Sequence, residues 1–139
     1  MSAPAAGVRR VLIVEDDEAL REVLCDALSD EGFAVASAAD GLEALDLLGR
    51  SSGVRPSLIL LDLTMPRMNG WQFRAAQRTD SRFAAIPVVV LSAAPNLAEE
   101  AESLGVPSGA WLSKPVPLGT LIAMVTRHCR PESGGPAAA

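Results

Sequence analysis

The sequence predicts an α/β protein in which a doubly wound, five-stranded parallel sheet carries helices on both faces. Two observations lead there. Short apolar runs alternate with helical patterns along the chain, and four of those runs end on an acidic, hydroxyl or ammonium group. Near-continuous apolar runs suit strands buried on both faces, as parallel sheets require, and β–α alternation is the mark of crossover connections. In such open sheets ligands bind outside the carboxyl ends of the strands.

The elements follow in order. Val11-Leu12-Ile13-Val14 reads as the first strand and runs into Glu15-Asp16-Asp17. Leu20, Val23, Leu24, Ala27 and Leu28 then recur at helical spacing, with Gly32 as a stop. Phe33–Ala38 is a short second strand, and Asp40 caps a helix carrying Ala44, Leu45 and Leu48 that closes near Gly49. Leu58-Ile59-Leu60-Leu61 ends on Asp62, and Trp71, Phe73 and Ala76 mark a third helix. Val88-Val89-Val90-Leu91 ends on Ser92. Asn96 with Glu99 three residues on has the form of a cap opening a short fourth helix to Leu104. Ala110-Trp111-Leu112 leads through Ser113 to Lys114, and Pro117 suits the first turn of a last helix with Leu118, Leu121, Ile122 and Val125.

Bulk composition limits what this fold can do. The 139 residues fit one domain with a real core. A net charge of −5 argues against direct nucleic-acid binding, which usually needs a basic face. No apolar run approaches a membrane span, and residues 1–7 lack the apolar centre of a secretory signal, so a cytoplasmic location is expected. Cys25 and Cys129 show no metal-ligand spacing and are read as reduced, buried thiols. Residues 1–7 and 131–139 are rich in small residues, Pro and Gly and are expected to be disordered tails or linker, leaving one domain over 8–130.

Lys114 is the only lysine among 12 basic residues, so chance placement at a strand end is a poor explanation for it. The nine residues Asp62-Leu63-Thr64-Met65-Pro66-Arg67-Met68-Asn69-Gly70 resemble the phosphoacceptor loop of response-regulator receiver domains. Val14-Glu15-Asp16-Asp17, Leu91-Ser92-Ala93 and Trp111-Leu112-Ser113-Lys114-Pro115 fall in the same order as that family's other motifs. Asp62 precedes Ser92 by 30 residues and Lys114 by 52, which is also the family's spacing. The resemblance covers residues 8–130 and implies a flavodoxin-like (βα)5 fold with strand order 2-1-3-4-5.

It also implies roles. Asp62 would accept a phosphoryl group from a histidine kinase or phosphotransfer protein, with Glu15, Asp16, Asp62 and the Thr64 carbonyl holding Mg²⁺. The chemistry is sound: a carboxylate attacks phosphorus once the incoming charge is neutralised, and Mg²⁺ binds through few carboxylates while keeping several waters. A register using Asp16 and Asp17 is the less favoured alternative. Ser92 and Lys114 would contact the phosphoryl oxygens, the lysine as a point charge, with a cis Lys114–Pro115 bond fixing its approach. Such a domain catalyses only its own phosphorylation and dephosphorylation, and it switches a face that binds an unknown downstream protein. Thr64 and Ala94 stand where the family modulates phosphoryl lifetime.

Other readings are weaker. A haloacid-dehalogenase-type phosphotransferase needs an acid where Thr64 stands and a nucleophile on the first strand. An EF-hand needs a glycine and spaced acids that the Glu15–Glu18 cluster lacks. A receiver-like docking domain that binds partners without phosphorylation remains the alternative, resting on two departures from the pattern. Trp111 replaces the usual Tyr or Phe, and is either a packed strand aromatic or a switch. Gly105-Val106-Pro107-Ser108-Gly109 is longer than usual, which implies a shortened fourth helix. His128, near the last helix's end, reads as a favourable charge there. Arg74, Arg78 and Arg82 read as a solvated helical stripe.

Overall fold

The computed structural model describes residues 9–50, 55–107 and 109–129. The tails expected at 1–7 and 131–139, the domain limits 8 and 130, and Ser108 lie outside the described residues. Ten elements alternate along the chain: β1 (Arg10–Val14), α1 (Glu18–Asp30), β2 (Ala34–Ala38), α2 (Gly41–Gly49), β3 (Leu58–Asp62), α3 (Gly70–Arg78), β4 (Val88–Ser92), α4 (Leu97–Ser103), β5 (Trp111–Ser113) and α5 (Leu118–His128). The strands form one parallel sheet in the order β2-β1-β3-β4-β5, as the resemblance implies. No helix among the described residues is long and apolar enough to cross a membrane.

The apolar runs become strands because both of their faces are covered. Leu12, Val14, Ile59, Leu61, Val88 and Val90 pack with Ala44 and Leu48 of α2, Phe73 of α3 and Leu97 of α4. The alternate residues Val11, Ile13, Leu58, Leu60, Val89 and Leu91 pack with Leu24 and Leu28 of α1 and Leu121 and Val125 of α5. Side chains on a strand point to opposite faces in turn, so a helix layer on each side demands an apolar residue at every position. β3 and β4 are accordingly buried along their whole length, which includes Asp62 and Ser92.

The helix signals are partly as expected. Asp40 caps α2, its Oδ1 accepting from the Glu43 amide at 2.9 Å. α4 has seven residues, the shortening that the longer following loop requires. The Asn96 cap does not form, since its side chain makes no capping hydrogen bond and its backbone is not extended as a capping residue's usually is. Pro117 stands just ahead of α5 rather than in its first turn. The reciprocal capping box lies instead at α3, between Asn69 and Gln72.

The arginine stripe is a correction. Arg78 and Arg82 are exposed, but Arg74 is buried. Its Nε donates to the Leu104 carbonyl at 2.9 Å, its Nη2 to the Gly105 carbonyl at 3.1 Å and its Nη1 to Gln77 Oε1 at 2.7 Å. Gln77 in turn donates to the Phe83 and Ile86 carbonyls. A helix leaves its last carbonyls unpaired, and a cation there is favourable. α3 thus caps α4 from the side, and that full set of partners is why a charged group is tolerated in the interior.

Candidate functional site

β1 and β3 are neighbours paired in parallel, Val14 opposite Leu61, so both runs deliver their acids to one rim. Glu15 is fully buried, Asp62 nearly so, and Asp16 is exposed. One carboxylate oxygen from each of Glu15, Asp16 and Asp62 lies within 4.8 Å of the others. Asp17, the third acid of the run, turns away to cap α1 by accepting from the Leu20 amide at 3.1 Å. Thr64, two residues beyond Asp62, donates its amide to Asp62 Oδ1 at 3.3 Å.

Lys114 reaches this rim from the far side of the sheet. β5 pairs with β4 in the register Ser92 opposite Ser113, and the Lys114 amide donates to the Ser92 carbonyl at 3.0 Å. Its Nζ lies 3.0 Å from Glu15 Oε1, 3.1 Å from Glu15 Oε2 and 3.3 Å from Asp62 Oδ1. The Lys114–Pro115 bond is cis. Ser92, buried beyond Leu91 on the strand next to β3, accepts from the Ala94 amide at 3.0 Å.

These positions carry strong electrostatic consequences. Burial, and then the negative charge of Glu15, push the Asp62 pKa up to about 7, although Lys114 pulls the other way. Burial by itself would lower the Lys114 pKa, but Glu15 and Asp62 together hold it above its ordinary value. One ammonium group faces three carboxyl groups, and it leaves buried acceptor capacity unused. Asp62 Oδ2 has no hydrogen-bond donor, and Glu15 Oε1 has only its charge contact with the Lys114 ammonium. Buried polar atoms are nearly always satisfied, and a cation bound by oxygen ligands would satisfy both. The donor set fits Mg²⁺, a hard cation held by one or two carboxylates with waters and substrate oxygens.

Residues 11–126 match the response regulator receiver domain family. The chain belongs to that family. As a receiver it is 35% identical over 128 residues to the response regulator MprA of Mycobacterium sp. (strain KMS), an alignment covering 90% of this chain and 54% of that protein. The chain therefore spans about half the length of the curated relatives it matches. Among solved structures it is similar to the chemotaxis protein CheY4 of Vibrio cholerae, with TM-score 0.76, 32% identity and coverage of 87% of this chain and 98% of that one. It is also similar to the receiver domain of a signal transduction histidine kinase from Syntrophus aciditrophicus, with TM-score 0.75, 26% identity and 95% of each chain covered. Membership in this family makes phosphorelay signalling its field of action.

The remaining expectations about this receiver divide. Trp111 is half-buried against the core on the α2–α4 side. It also lines a groove of about 360 Å³ with Ala98, Ala101, Glu102, Val106 and Pro107. His128 does not suit the role of a charge at the end of α5. Burial, and then Arg127, lower its pKa, and its Nε2 lacks a partner. Both cysteines are free, Cys129 buried and Cys25 only half-buried. Burial pushes the Cys129 thiol up to about 11. Sequence reasoning missed two contacts that hold the site's framework. Arg21 Nη1 donates to the Glu15 carbonyl at 2.8 Å. Arg67 and Asp40 pair across the loop, with Arg67 Nη2 2.6 Å from Asp40 Oδ2. The nearest sequence signal was Asp40 itself, which reads as a cap and leaves one oxygen over.

Proposed function

We propose that this receiver takes a phosphoryl group onto Asp62 from the phosphohistidine of a partner histidine kinase or phosphotransfer protein. The observation that carries it is the buried Asp62 carboxylate, with an unpaired Oδ2 and the Lys114 ammonium 3.3 Å from its Oδ1. An Asp62 oxygen attacks phosphorus, the phosphorus–nitrogen bond breaks, and its electron pair leaves with the donor imidazole. Glu15, Asp16, Asp62 and the Thr64 carbonyl would hold Mg²⁺, which would supply positive charge to offset that of the phosphoryl oxygens. Lys114 exchanges its contact with Asp62 for the new phosphoryl oxygens, and the Ser92 hydroxyl donates to another. Water later releases phosphate and restores the carboxylate, so the protein acts only on its own acyl phosphate.

The output follows from the same contacts. When Lys114 and Ser92 move toward the phosphoryl group, they bias the β4–α4 and β5–α5 connections, and with them a protein-binding face. The downstream partner is a protein that reads this face. Relatives roughly twice as long are consistent with a receiver that belongs to a larger regulator, and the likeness to a kinase's receiver domain is consistent with a hybrid kinase.

A small-molecule phosphodonor with Mg²⁺ tests the proposal. The expected product is an acid-stable, base-labile adduct on wild type and none on Asp62→Asn. Equal labelling of both proteins, or none on either, would leave the docking alternative in its place.

A further inference from the structure

We propose that the Asp40–Arg67 ion pair is a positioning clasp that sets the Mg²⁺ affinity of the site. This rests on the metal reading above and assigns work to two residues outside the ligand set. Arg67 stands in the β3–α3 loop at φ +62°, the left-handed region that bulky residues avoid. Such a conformation persists only where the surroundings hold it. Here the hold is visible. Arg67 Nε and Nη2 both reach Asp40 Oδ2, at 2.7 and 2.6 Å.

Asp40 is an unusually firm anchor. Its side chain is only 5% exposed, and its other oxygen is fixed by the Glu43 amide at the start of α2. Burial would raise its pKa, but the Glu43 amide and the Arg67 guanidinium outweigh that and keep it ionised. Two further contacts close the same joint. The Gly41 amide donates to the Met68 carbonyl at 3.1 Å, and a Cβ on Gly41 would come within 2.6 Å of the Met68 side chain.

The joint connects the two segments that supply the metal ligands. On one side the Glu15 amide donates to the Ala38 carbonyl at 3.0 Å, two residues before Asp40. On the other, Arg67 lies three residues beyond Thr64 and five beyond Asp62 in one short loop. Releasing the pair frees the loop that carries the Thr64 carbonyl relative to the strand end that carries Glu15 and Asp16. Groups that orient metal ligands change affinity severalfold or more without touching the ion.

The test is calorimetric titration of the protein with Mg²⁺ alone. Arg67→Gly removes the guanidinium while suiting the positive φ, and Asp40→Asn keeps the helix cap while weakening the pair. Each is expected to weaken Mg²⁺ binding by about tenfold. The double variant should be no weaker than either single, because the two residues act as one unit. Arg67→Lys should recover part of the loss. Circular dichroism melting of each variant checks that the fold is kept. Wild-type affinity in both single variants would overturn the clasp, as would losses that simply add in the double variant. A wild type that takes up no Mg²⁺ overturns the metal reading and the clasp together. Binding abolished by Asp62→Asn yet untouched by Arg67→Gly overturns the clasp alone.

Discussion

Lys114 places its ammonium 3.0 Å from Glu15 Oε1 across a sequence separation of 99 residues, joining the two ends of the domain at one point. The same nitrogen is 3.3 Å from Asp62, so a single cation compensates two buried carboxyl groups.

Lys114→Met should therefore destabilise the metal-free protein by about 1–3 kcal/mol, because it strands acids that burial has already cut off from water. Urea unfolding would measure this. Added Mg²⁺ should restore much of the loss by supplying the missing positive charge, while adduct formation stays impaired.

Asp62 makes stability fall with rising pH. Its folded pKa of about 7 lies above the ordinary carboxylate value of 3.8. Between those pH values the folded state keeps a proton that the unfolded chain has released, so the slope of unfolding free energy against pH is negative. The group's favourable contribution is complete below about pH 4 and is lost as pH rises through about 7. In metal-free buffer Asp62→Asn should be more stable than wild type at pH 8 by roughly 4 kcal/mol, and about equal to it near pH 4. Thermal melts across that range would show it, and Mg²⁺ should flatten the wild-type slope.

Arg74→Leu should keep the packing volume of α3 while uncapping α4. The Gly105 carbonyl and Gln77 Oε1 would lose the Arg74 donor, and the Leu104 carbonyl would keep only the longer contact from Arg78 Nη1 at 3.4 Å, at a cost of about 1–3 kcal/mol. Hydrogen exchange should show faster amide exchange through α4 than through α2. Uniform acceleration across both helices would show that Arg74 supports the fold generally rather than the end of α4.

Gly70→Ala should damage the site more than its size suggests. A Cβ at Gly70 would lie 2.6 Å from the Asp62 carbonyl oxygen and 2.7 Å from Leu63 Cα, both backbone atoms that cannot swing aside. We expect a loss of about 1–3 kcal/mol in stability, with slower labelling of Asp62 by a phosphodonor. Denaturant unfolding and a labelling time course measure the two effects.

Much of this was legible because the chemistry sits on strand ends. Val11–Val14, Leu58–Leu61 and Val88–Leu91 are apolar at every position, which only two-sided burial explains, and the polar residue after each run marks the rim. Contacts between distant side chains were hidden. Arg74 lies four residues before Arg78 and looks like part of a solvated stripe, because its partners are carbonyl groups about 30 residues on, with no sequence signature. Asp40 declared its cap through local spacing, but its second oxygen meets Arg67 only after the sheet has formed. Asn96 shows the reverse error: a sound local cap pattern left unused at the start of a seven-residue helix.

β5 has only three residues, and the lysine follows immediately. The ladder from β4 continues one step past it, through the Lys114 amide to the Ser92 carbonyl. The ammonium is thus indexed to the strand alignment itself. A slip of one residue would turn Trp111 and Ser113 to the opposite faces and carry the charge about 3.3 Å along the strand, away from both acids. Correct registration of the shortest strand is the tolerance on which the chemistry depends.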